Sequence, residues 1–375
     1  MLVSFLRIFL LLLNIAVAVL LVLSYACVQV SPLTFYPFAF IGLGFPILVV
    51  LNVFFFVFFT SQFSLRALIS LIALLAVLPL VKNLVQVNPL YKNSVEKNAR
   101  SKGMLKVTSY NVRLFDLYNW SNNKKTRDRM LDFLRKENSD ILLLQEFYSD
   151  DDNAFTNADS LEKHLGMEHH AVHYTITLRK TNHWGMALYS RYPIVRSGTI
   201  NFSTRSNNSC LFADIAAKGD TVRVYNIHLQ SLHFKKEDYD FIDSLTSEGN
   251  ARVESMKGSR RIASKIKQAF IKRAEQVELV HKHMQSSPYP VVLAGDFNDS
   301  PVSYSYQRLS QGLQDAWEGH AFGFGQTFHD NLFNLRIDYI LHSKEIYSDA
   351  FAIRKVPYSD HYPVSCFIGF SHRSE

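Results

Sequence analysis

The segment Pro290-Val-Val-Leu-Ala-Gly-Asp-Phe-Asn298 is a short apolar run that ends in an acid and an amide. Residues Pro290 to Ala294 fit a buried β-strand, because the run is short, rich in valine and followed by residues that favour turns. Asp296 and Asn298 come directly after it. An Asp or Asn after a strand is most often a turn residue, so this segment alone is weak support for a functional site.

The same arrangement recurs along the chain, each time with a polar side chain suited to a metal ion or a phosphate at or within a predicted strand. The other segments are Ser109-Tyr-Asn111, Leu144-Gln-Glu146, Asn226-Ile-His228, Arg336-Ile-Asp338 and Ser359-Asp-His361. Six such segments in one chain are hard to explain as turns. Together they indicate a functional site.

Oxygen donors without thiols dominate these segments, and such donors suit magnesium, manganese or calcium. Magnesium usually takes one or two protein carboxylates and keeps several waters, which leaves room for the phosphate oxygens of a substrate. Glu146 is the strongest candidate for a metal ligand, with Asn111 beside it and Asp360 contributing. The sequence therefore predicts Mg²⁺, or Mn²⁺, as the cofactor.

Two histidines of these segments, His228 and His361, are available for proton transfer or for contact with a phosphate. Asp360, directly before His361, and Asp338 are acids able to fix the tautomer of His361 and to raise its basicity.

Short apolar strands between polar loops make up most of the chain after residue 104, with one helix predicted at Lys125–Glu137 from its apolar spacing. The predicted strands are Leu105–Tyr110, Ile141–Gln145, Met186–Ser190, Leu211–Ala216, Val222–His228, Pro290–Ala294, Arg336–Leu341 and Val364–Ile368. Many short strands with few helices indicate a two-layered α/β sandwich.

Over residues 105–370 the chain resembles the endonuclease/exonuclease/phosphatase superfamily, which includes pancreatic-type deoxyribonucleases, exonuclease III-like repair nucleases, neutral sphingomyelinases and inositol polyphosphate 5-phosphatases. The most specific matching segments are Gly295-Asp-Phe-Asn298 and Ser359-Asp-His-Tyr-Pro-Val364, followed by Leu143-Leu-Gln-Glu146 and Gly185-Met-Ala-Leu-Tyr-Ser-Arg-Tyr-Pro-Ile194. The resemblance implies an α/β fold, a four-layered α/β/β/α sandwich of the deoxyribonuclease type, with the site at one end of two packed sheets.

The resemblance also implies a role for each polar residue. Asn111 and Glu146 would hold the metal, with Asp360 close to it. Asp296 would orient or deprotonate the attacking water, and Asn298 would contact the scissile phosphate and position Asp296. His361, paired with Asp338, would contact the phosphate and stabilise the transition state, and His228 would be a general acid or a phosphate ligand. The implied reaction is in-line attack of water on a phosphodiester or a phosphomonoester.

One departure from a known branch concerns His228. Repair nucleases of the exonuclease III type lack a histidine there, whereas the Thr-His-Leu histidine of deoxyribonuclease-like and sphingomyelinase-like branches resembles it. The chain is thus closer to the deoxyribonuclease, deadenylase or sphingomyelinase side.

His183, just before the matching Gly185 segment, is a further substrate-contact candidate. Its neighbour Trp184 is interpreted as a packing residue, and Arg113 as a surface arginine rather than a phosphate contact.

Three apolar runs fill the N-terminal region, at Leu2–Ala26, Leu33–Thr60 and Ala67–Val81. A membrane-spanning helix needs about 20 apolar residues, which the first two runs exceed and the third nearly reaches. The first run is too long for the apolar part of a typical signal peptide. We therefore expect three transmembrane helices in a domain at 1–88, a linker at 89–103 and a catalytic domain at 104–375.

The orientation in the membrane depends on basic residues. An N-terminus inside the cell, followed by three spans, places the catalytic domain outside the cytoplasm. Basic residues after the third run favour the opposite orientation: Lys82, Lys92, Lys97, Arg100 and Lys102. Because large domains often cross despite such charges, we expect an integral protein of a bacterial inner membrane with a periplasmic or extracellular catalytic domain.

The segment Lys235–Lys282 is charged, helical in composition and rich in Lys and Arg between Lys257 and Arg273. It fits a solvated amphipathic helix pair, or a basic surface that meets anionic lipid or nucleic acid. The formal charge of +7 agrees with either interpretation.

Cys210 and Cys366 are compatible with one disulfide or with two free thiols.

Three functions from different classes fit this sequence. The first is a membrane-tethered hydrolase of lipid phosphoesters, the second a tethered nuclease for DNA or RNA, and the third a non-catalytic binding module. The expected partners are the lipid bilayer and a phosphoester substrate, and no obligate protein partner is inferred. A transporter is excluded, because the three spans contain no intramembrane acidic residue.

Overall fold

The computed structural model describes residues 2–88, 95–151, 155–202, 207–232, 234–246, 252–320, 322–329 and 334–371. The chain divides into two compact units. The first contains residues 1–78, 230–277 and 302–305, and the second contains residues 79–229, 278–301 and 306–375.

Helices come first along the described residues, and most of the strands follow residue 104. The helices are α1 (Leu2–Gln29), α2 (Pro32–Phe35), α3 (Pro37–Leu43), α4 (Phe45–Thr60), α5 (Ala67–Ala76), α6 (Leu78–Leu84), α7 (Val95–Ser101), α8 (Thr126–Glu137), α9 (Asn157–Leu165), α10 (Lys236–Thr246), α11 (Arg252–Gln285) and α12 (Tyr304–Leu309). The strands are β1 (Gln86–Val87), β2 (Leu105–Asn111), β3 (Ile141–Asp150), β4 (His169–Leu178), β5 (Asn182–Ser190), β6 (Ile194–Asn201), β7 (Ser209–Ala217), β8 (Asp220–His228), β9 (Val291–Asp296), β10 (Leu313–Asp315), β11 (Phe322–Gly323), β12 (Phe328–His329), β13 (Asn334–Leu335), β14 (Asp338–Ser343), β15 (Ile346–Ile353) and β16 (Val364–Phe370).

The first unit is built on the apolar N-terminal helices. Helices α1, α4 and α5 pack together around Val17, Phe55 and Phe59. Within this bundle the Ser70 hydroxyl donates to Asn14 Oδ1 at 2.6 Å. Asn52 Nδ2 of α4 likewise donates to the carbonyl oxygen of Val17 on α1 at 3.3 Å. Polar contacts of this kind join apolar helices to one another.

One helix of this unit, over Phe5–Gln29, is long and apolar enough to cross a membrane. Two further spans result only if each of two bent helix pairs counts as one: α3 with α4, bent by 60°, and α5 with α6, bent by 64°. Of the three predicted transmembrane helices, one is therefore matched by a helix of sufficient length, and the other two stay predictions.

The second unit contains two six-stranded sheets. The first sheet has the strand order β15-β16-β2-β3-β5-β4, and the second has the order β10-β14-β9-β8-β7-β6. Each sheet has one parallel pair at its centre, β2 with β3 and β8 with β9. These four central strands carry four of the six polar segments found in the sequence: Asn111, His228 and Asp296 end β2, β8 and β9, and Glu146 lies within β3.

The two sheets pack face to face through a shared apolar core. Val107 and Leu143 of the first sheet and Val224, Val292 and Ile340 of the second belong to this core. On the outer face of the first sheet, α8 and α9 bury a second core. On the outer face of the second sheet, the end of α11 and helix α12 contact strands through ring pairs such as His283 with Tyr225 and Tyr306 with Tyr339. The predicted α/β sandwich with two packed sheets is confirmed.

Two features of the structure bear on the expectations from the sequence. Part of the predicted linker is ordered, because residues 95–101 form α7, whose Ala99 packs against Met104 and Phe367; residues 89–94 lie outside the described residues. The possible disulfide is not formed, since Cys210 and Cys366 are both free and buried.

Candidate active site

A row of three polar residues crosses the second sheet. Asp296, the last residue of β9, is aligned with His228 on the parallel strand β8 and with Asp338 on the antiparallel strand β14. Residues in register on adjacent strands lie side by side on the same sheet. Three of the six segments identified in the sequence are therefore brought together by strand pairing alone.

Gly295 makes this row possible, because β8 and β9 approach closely there. A Cβ atom on Gly295 would lie 2.0 Å from the carbonyl oxygen of Ile227. Gly295 also has a φ of +145°, which residues other than glycine rarely adopt. The glycine before Asp296 is thus a structural requirement of the site.

The first sheet supplies Asn111, at the end of β2, and Glu146, within β3. Glu146 lies where the β3–β5 register shifts between Leu144 and Phe147, and it has a φ of 48°. A bulge of this kind turns a side chain away from its regular direction. As a result, Glu146 reaches the amide of Asn111, whose Nδ2 donates to Glu146 Oε1 at 3.2 Å.

Asn111 also joins the two sheets, because its Nδ2 donates to Asp296 Oδ2 at 3.1 Å. That carboxylate receives two further hydrogen bonds from Asn298, through its backbone N–H at 2.8 Å and its Nδ2 at 3.0 Å. Burial raises the pKa of the Asp296 carboxyl to about 6, although the positive charge of His361 opposes the shift. At neutral pH and above, Asp296 is therefore mostly ionised and able to accept a proton.

His361 lies between two carboxylates. Its Nδ1 is 2.9 Å from Asp338 Oδ2, and its Nε2 is 3.7 Å from Asp296 Oδ2. Burial by itself lowers the pKa of His361, but the charges of Asp338 and Asp296 outweigh it and raise the pKa to about 10. His361 is therefore an imidazolium at neutral pH, and its positive charge faces the site.

His228 lies on the opposite side of Asp296. Its Nε2 is 3.6 Å from Asp296 Oδ2 and 3.8 Å from Glu146 Oε1. The histidine thus lies between a carboxylate of each sheet. Two histidines and two asparagines surround one buried acid, an arrangement suited to binding an anion beside a proton acceptor.

The donor set fits a hard divalent cation on the Glu146 side of the cluster. Partial burial raises the pKa of Glu146, and the nearby charge of Asp360 raises it further. The carboxylates of Glu146 and Asp360 repel each other, and a divalent cation between them would offset this repulsion. The side-chain oxygen of Asn111 lies beside them and is a further ligand of the type that Mg²⁺ prefers. The predicted ligands Asn111, Glu146 and Asp360 are therefore compatible with a metal.

Asp296, Asp338 and His361 are also close enough together to hold an ion. We interpret this group differently, because a protonated imidazole has no lone pair to offer a metal. Both ring nitrogens of His361 already face carboxylates. The group is better described as a hydrogen-bonded Asp338–His361 ion pair beside Asp296 than as a metal site.

An irregular turn follows Asn111 and brings Arg113 beside the site. Residues 113–116 all have positive φ values, between 44° and 59°. Four such residues in a row are unusual without glycine. The turn directs Arg113 Nε to Asp360 Oδ2 at 3.2 Å and places its guanidinium over the exposed ring of Trp120 at 4.7 Å. Contrary to the sequence interpretation, Arg113 is therefore part of the site's surroundings rather than an isolated surface residue.

Two buried amides beneath the site carry no role in the sequence interpretation, although they belong to the quoted segments. Gln145 Nε2 donates to Asn226 Oδ1 at 2.7 Å, and Asn226 Nδ2 donates to the carbonyl oxygens of Leu144 and Ala187. These bonds join the two sheets below Asn111 and His228. Amides at core positions of apolar strands are the signal that identifies them.

Two hydroxyl groups support the backbone segments that carry Asp338 and His361. Thr327 Oγ1 accepts hydrogen bonds from the backbone N–H groups of Ile337 and Asp338, both at 3.0 Å. Ser359 Oγ donates to the carbonyl oxygen of Asn111 at 2.8 Å and so ties the segment of His361 to β2. Thr327 lies in a loop without periodicity, so the sequence offers no signal for it.

His183 has its described contacts elsewhere. Its ring bonds to Asp151 and Thr177 and stacks on Tyr174, and its neighbour Trp184 packs against Tyr148. The structure therefore brings together eight of the nine predicted site residues and leaves His183 apart from that cluster. The packing interpretation of Trp184 agrees with its ring contact.

Comparison with known proteins gives the same family over the same residues. Residues 108–361 match the Endonuclease/Exonuclease/phosphatase family, and residues 7–84 match a family described as a domain of unknown function. No curated protein matches the chain.

Several solved structures share the fold. An endonuclease/exonuclease/phosphatase from Beutenbergia cavernae is 18% identical, with a TM-score of 0.50 over 71% of this chain and 72% of that chain. One from Bacteroides vulgatus is 17% identical, with a TM-score of 0.51 over 71% and 99% of the two chains. A mannosyl-6-phosphatase from Bacteroides thetaiotaomicron is 20% identical, with a TM-score of 0.50 over 71% and 100%. At these identities the likeness concerns the fold.

The two packed sheets, with acids, amides and histidines gathered at their strand ends, define a protein of the class of phosphoester hydrolases. The chain belongs to the Endonuclease/Exonuclease/phosphatase family, because the match extends over most of its length.

Proposed function

We propose that this protein is a membrane-anchored, divalent-metal-dependent hydrolase of phosphate esters that works by in-line attack of water. The observation that carries the proposal is the position of Asp296. Its buried carboxylate lies between His228 and His361 and is held by Asn111 and Asn298. A base surrounded by anion-binding groups is what hydrolysis of a phosphate ester requires.

In this proposal Asp296 accepts a proton from the attacking water. Asn298 fixes the orientation of the carboxylate through two hydrogen bonds, one to each oxygen. His361, kept protonated by Asp338, places its positive charge against the phosphoryl oxygens where negative charge develops. His228, on the other side of the base, binds the phosphate or protonates the leaving oxygen.

Asn111 and Glu146, with Asp360 close by, are the proposed metal ligands. When bound, Mg²⁺ or Mn²⁺ would neutralise phosphate charge as a Lewis acid. Arg113, bonded to Asp360, would then stand at the edge of the metal side, where a further phosphate oxygen of the substrate is within reach of a guanidinium.

A lipid phosphoester is favoured as the substrate by an apolar rim, defined here as Val87, Phe322 and Phe324. Their exposed fractions are 74%, 71% and 58%. Val87 and Phe322 are paired on β1 and β11. Exposed apolar side chains in one patch indicate contact with a lipid or a protein rather than with a polyanion.

The apolar rim is connected to the catalytic cluster through a short loop. Phe324 is three residues before Thr327, which holds Asp338, and Phe328 pairs with His361 through a β-bridge. A chain segment that carries exposed apolar residues and also supports His361 suits a substrate with an acyl chain and a phosphate headgroup. Nucleic acid is the second candidate, favoured by the exposed rings of Tyr118 and Trp120, since bases stack on such rings.

The full chain, purified in detergent, is assayed with and without Mg²⁺ on plasmid DNA, RNA, sphingomyelin and phosphoinositides. Asp296→Asn and His361→Ala serve as site variants. We expect metal-dependent cleavage of a lipid substrate by the natural chain and loss of cleavage in both variants. Hydrolysis that persists in both variants would contradict the proposed site.

The choice between lipid and nucleic acid is tested by Phe322→Ser with Phe324→Ser. The matched control replaces two exposed apolar residues of other strands, Leu178→Ser with Tyr347→Ser. We expect the rim variant alone to lose activity on lipid vesicles while it keeps activity on a short soluble phosphodiester. Equal loss on both substrates, or efficient cleavage of plasmid DNA that Trp120→Ala reduces, would favour the nuclease.

A further inference from the structure

Helix α11 has an unusual charge distribution in its first half. Between Ser255 and Ala274 it contains seven Lys and Arg residues and no Asp or Glu. Six of the seven fall on one side of the helix, within an arc of roughly 160° at 100° per residue: Lys257, Arg260, Arg261, Lys265, Lys267 and Lys272. We call this arc the basic face.

The opposite side of the same helix is buried. Ala269, Phe270, Ala274 and Val277 are all buried there. Arg273 also lies on the buried side, where its guanidinium donates to the carbonyl oxygen of Gln230 at 2.9 Å. The basic face is therefore the more exposed side of a helix whose other side is packed against the rest of the unit.

Internal ion pairs use only part of the basic face. Arg261 and Lys265 both bond to the buried carboxylate of Asp238 on α10. Lys257, Arg260 and Lys272 are exposed. Among the residues that the structure describes, no ion pair involves these three. Their charges are thus available to an anion from outside the chain.

The helix packs directly on the apolar N-terminal helices, within the same compact unit. The ring of Phe270 meets the ring of Phe40 on α3 edge to face, with centroids 5.4 Å apart. The Lys267 ammonium lies over the ring of Tyr36, 4.1 Å from its centroid. A lysine of the basic face is therefore in contact with the connection between α1 and α4.

This end of the apolar bundle has the character of a membrane–water boundary. Tyr25 lies in the last turns of α1, and Tyr36 lies between α2 and α3. Tyrosine is enriched where membrane helices meet the lipid headgroups, because its ring is apolar and its hydroxyl is polar. Since Lys267 contacts Tyr36, the basic face lies at the level of the headgroups once the bundle is inserted.

We propose that the basic face of α11 binds the phosphate groups of anionic phospholipids and forms a second, electrostatic attachment beside the apolar anchor. Lys257, Arg260 and Lys272 would contact the headgroups, while Lys267 fixes the helix at their level. This inference rests on the insertion of the apolar helices in a bilayer. It does not rest on the proposed catalysis, and lipid binding is measured without turnover, so the two can fail separately.

Nucleic acid is the other polyanion that a basic helix recognises. Lipid is favoured here because the basic face is attached to the apolar bundle through Phe40 and Tyr36 rather than standing free. A headgroup is therefore already present at that position in the inserted protein.

The test counts the lipids that remain bound to the full chain. The natural chain in neutral detergent is supplied with equal amounts of phosphatidylglycerol and phosphatidylcholine, and retained lipids are counted by native mass spectrometry. The variant Lys257→Gln/Arg260→Gln/Lys272→Gln is compared with Lys124→Gln/Arg129→Gln/Lys136→Gln, which removes the same charges from exposed positions around α8. We expect the apparent affinity for phosphatidylglycerol to fall by about tenfold or more in the α11 variant only.

Salt supplies a second measurement on the natural chain, which needs no variant to fold. Retention of phosphatidylglycerol should fall as ionic strength rises, while retention of phosphatidylcholine stays constant. Equal retention of the two lipids, equal loss in both variants, or retention insensitive to salt would overturn the proposal. So would an oligonucleotide that binds through the same three residues while phosphatidylglycerol does not.

Discussion

At the scale of single residues, Asp296 is the point at which both sheets meet. The side chains of Asn111, Asn298, His228 and His361 all direct a nitrogen towards its Oδ2 atom. An acid in such surroundings cannot be replaced by an amide without losing its ability to accept a proton, although the shape of the side chain is kept.

The variant Asp296→Asn is expected to lower kcat by about 10²–10⁴-fold, the usual contribution of a general base. The fold should be retained, because asparagine has nearly the same volume. The measurement is kcat together with thermal unfolding of the full chain. Asp128→Asn, an exposed acid on α8, is the control, and an active Asp296→Asn protein would remove Asp296 from the mechanism.

His342 offers a test of pH dependence away from the catalytic cluster. Its ring is buried, with Nε2 2.9 Å from Ser348 Oγ, and burial lowers its pKa. Because the folded pKa lies below the unfolded value of about 6.5, its contribution to stability is complete above that value. The contribution is lost as the pH falls through the folded pKa.

The variant His342→Gln is therefore expected to show a smaller decrease in unfolding temperature between neutral and mildly acidic pH than the natural chain. The compared quantity is the slope with pH, so a constant loss of stability does not matter. His164→Gln, at an exposed position, should leave the slope unchanged. An identical slope in the His342 variant would show that this histidine does not couple folding to protons.

At the scale of secondary-structure elements, the close approach of β8 and β9 sets the geometry of the row that contains His228, Asp296 and Asp338. Gly295 is the residue at which this approach is tightest. A Cβ atom added to Gly295 would lie 2.0 Å from the carbonyl oxygen of Ile227. Because backbone atoms move less readily than the ends of side chains, this clash is relieved only by shifting a strand.

The variant Gly295→Ala should destabilise the protein by more than about 3 kcal/mol, at or beyond the upper end of ordinary overpacking. Gly219→Ala provides the control, since Gly219 also has a positive φ, +89°, but has open space around its Cβ position. It should cost only about 1–2 kcal/mol. Chemical unfolding of the two variants measures the difference, and equal losses would show that strand approach is not the cause.

Elements could be predicted from the sequence where burial is complete. The predicted strands of β2, β8 and β9 agree with the structure within two residues, and all three are almost wholly buried. β9 reads as a continuous apolar run, whereas β2 and β8 keep apolar residues between buried polar ones. The sequence pattern does not predict the edge strands β4 and β6. Their residues are mixed in burial, so they carry neither an apolar run nor a clean alternation.

The candidate site was predictable in its members and not in its arrangement. The polar ends of the strands are visible as local patterns, but the alignment of Asp338 with Asp296 depends on pairing between strands 42 residues apart. The left-handed backbone at Glu146 depends on a bulge set by β5. The role of Arg113 depends on a turn of four positive φ values, which its sequence, free of glycine, argues against.

At the scale of the whole molecule, the proposed metal ligands come from three distant parts of the chain. Asn111, Glu146 and Asp360 belong to β2, β3 and the segment before β16. A cation that binds only when these parts are assembled stabilises the folded state by mass action, by about 2.7 kcal/mol at a concentration 100 times its Kd.

Addition of Mg²⁺ or Mn²⁺ should therefore raise the unfolding temperature of the full chain, and chelation should reverse the rise and abolish hydrolysis. In Glu146→Gln the rise should be largely lost, because a charged ligand is replaced by a neutral one of the same shape. Glu162→Gln on α9 is the control. A rise of equal size in the Glu146 variant would place the metal elsewhere.

The distribution of the cluster along the chain also has a consequence for its biosynthesis. The apolar helices leave the ribosome before the cluster does, because the cluster needs Asn111 from β2 and His361 from the segment before β16. With the membrane anchoring proposed above, a growing chain would reach the bilayer before it has a complete set of reactive groups. A hydrolase assembled in this order has no activity until the segment that carries His361 has been synthesised.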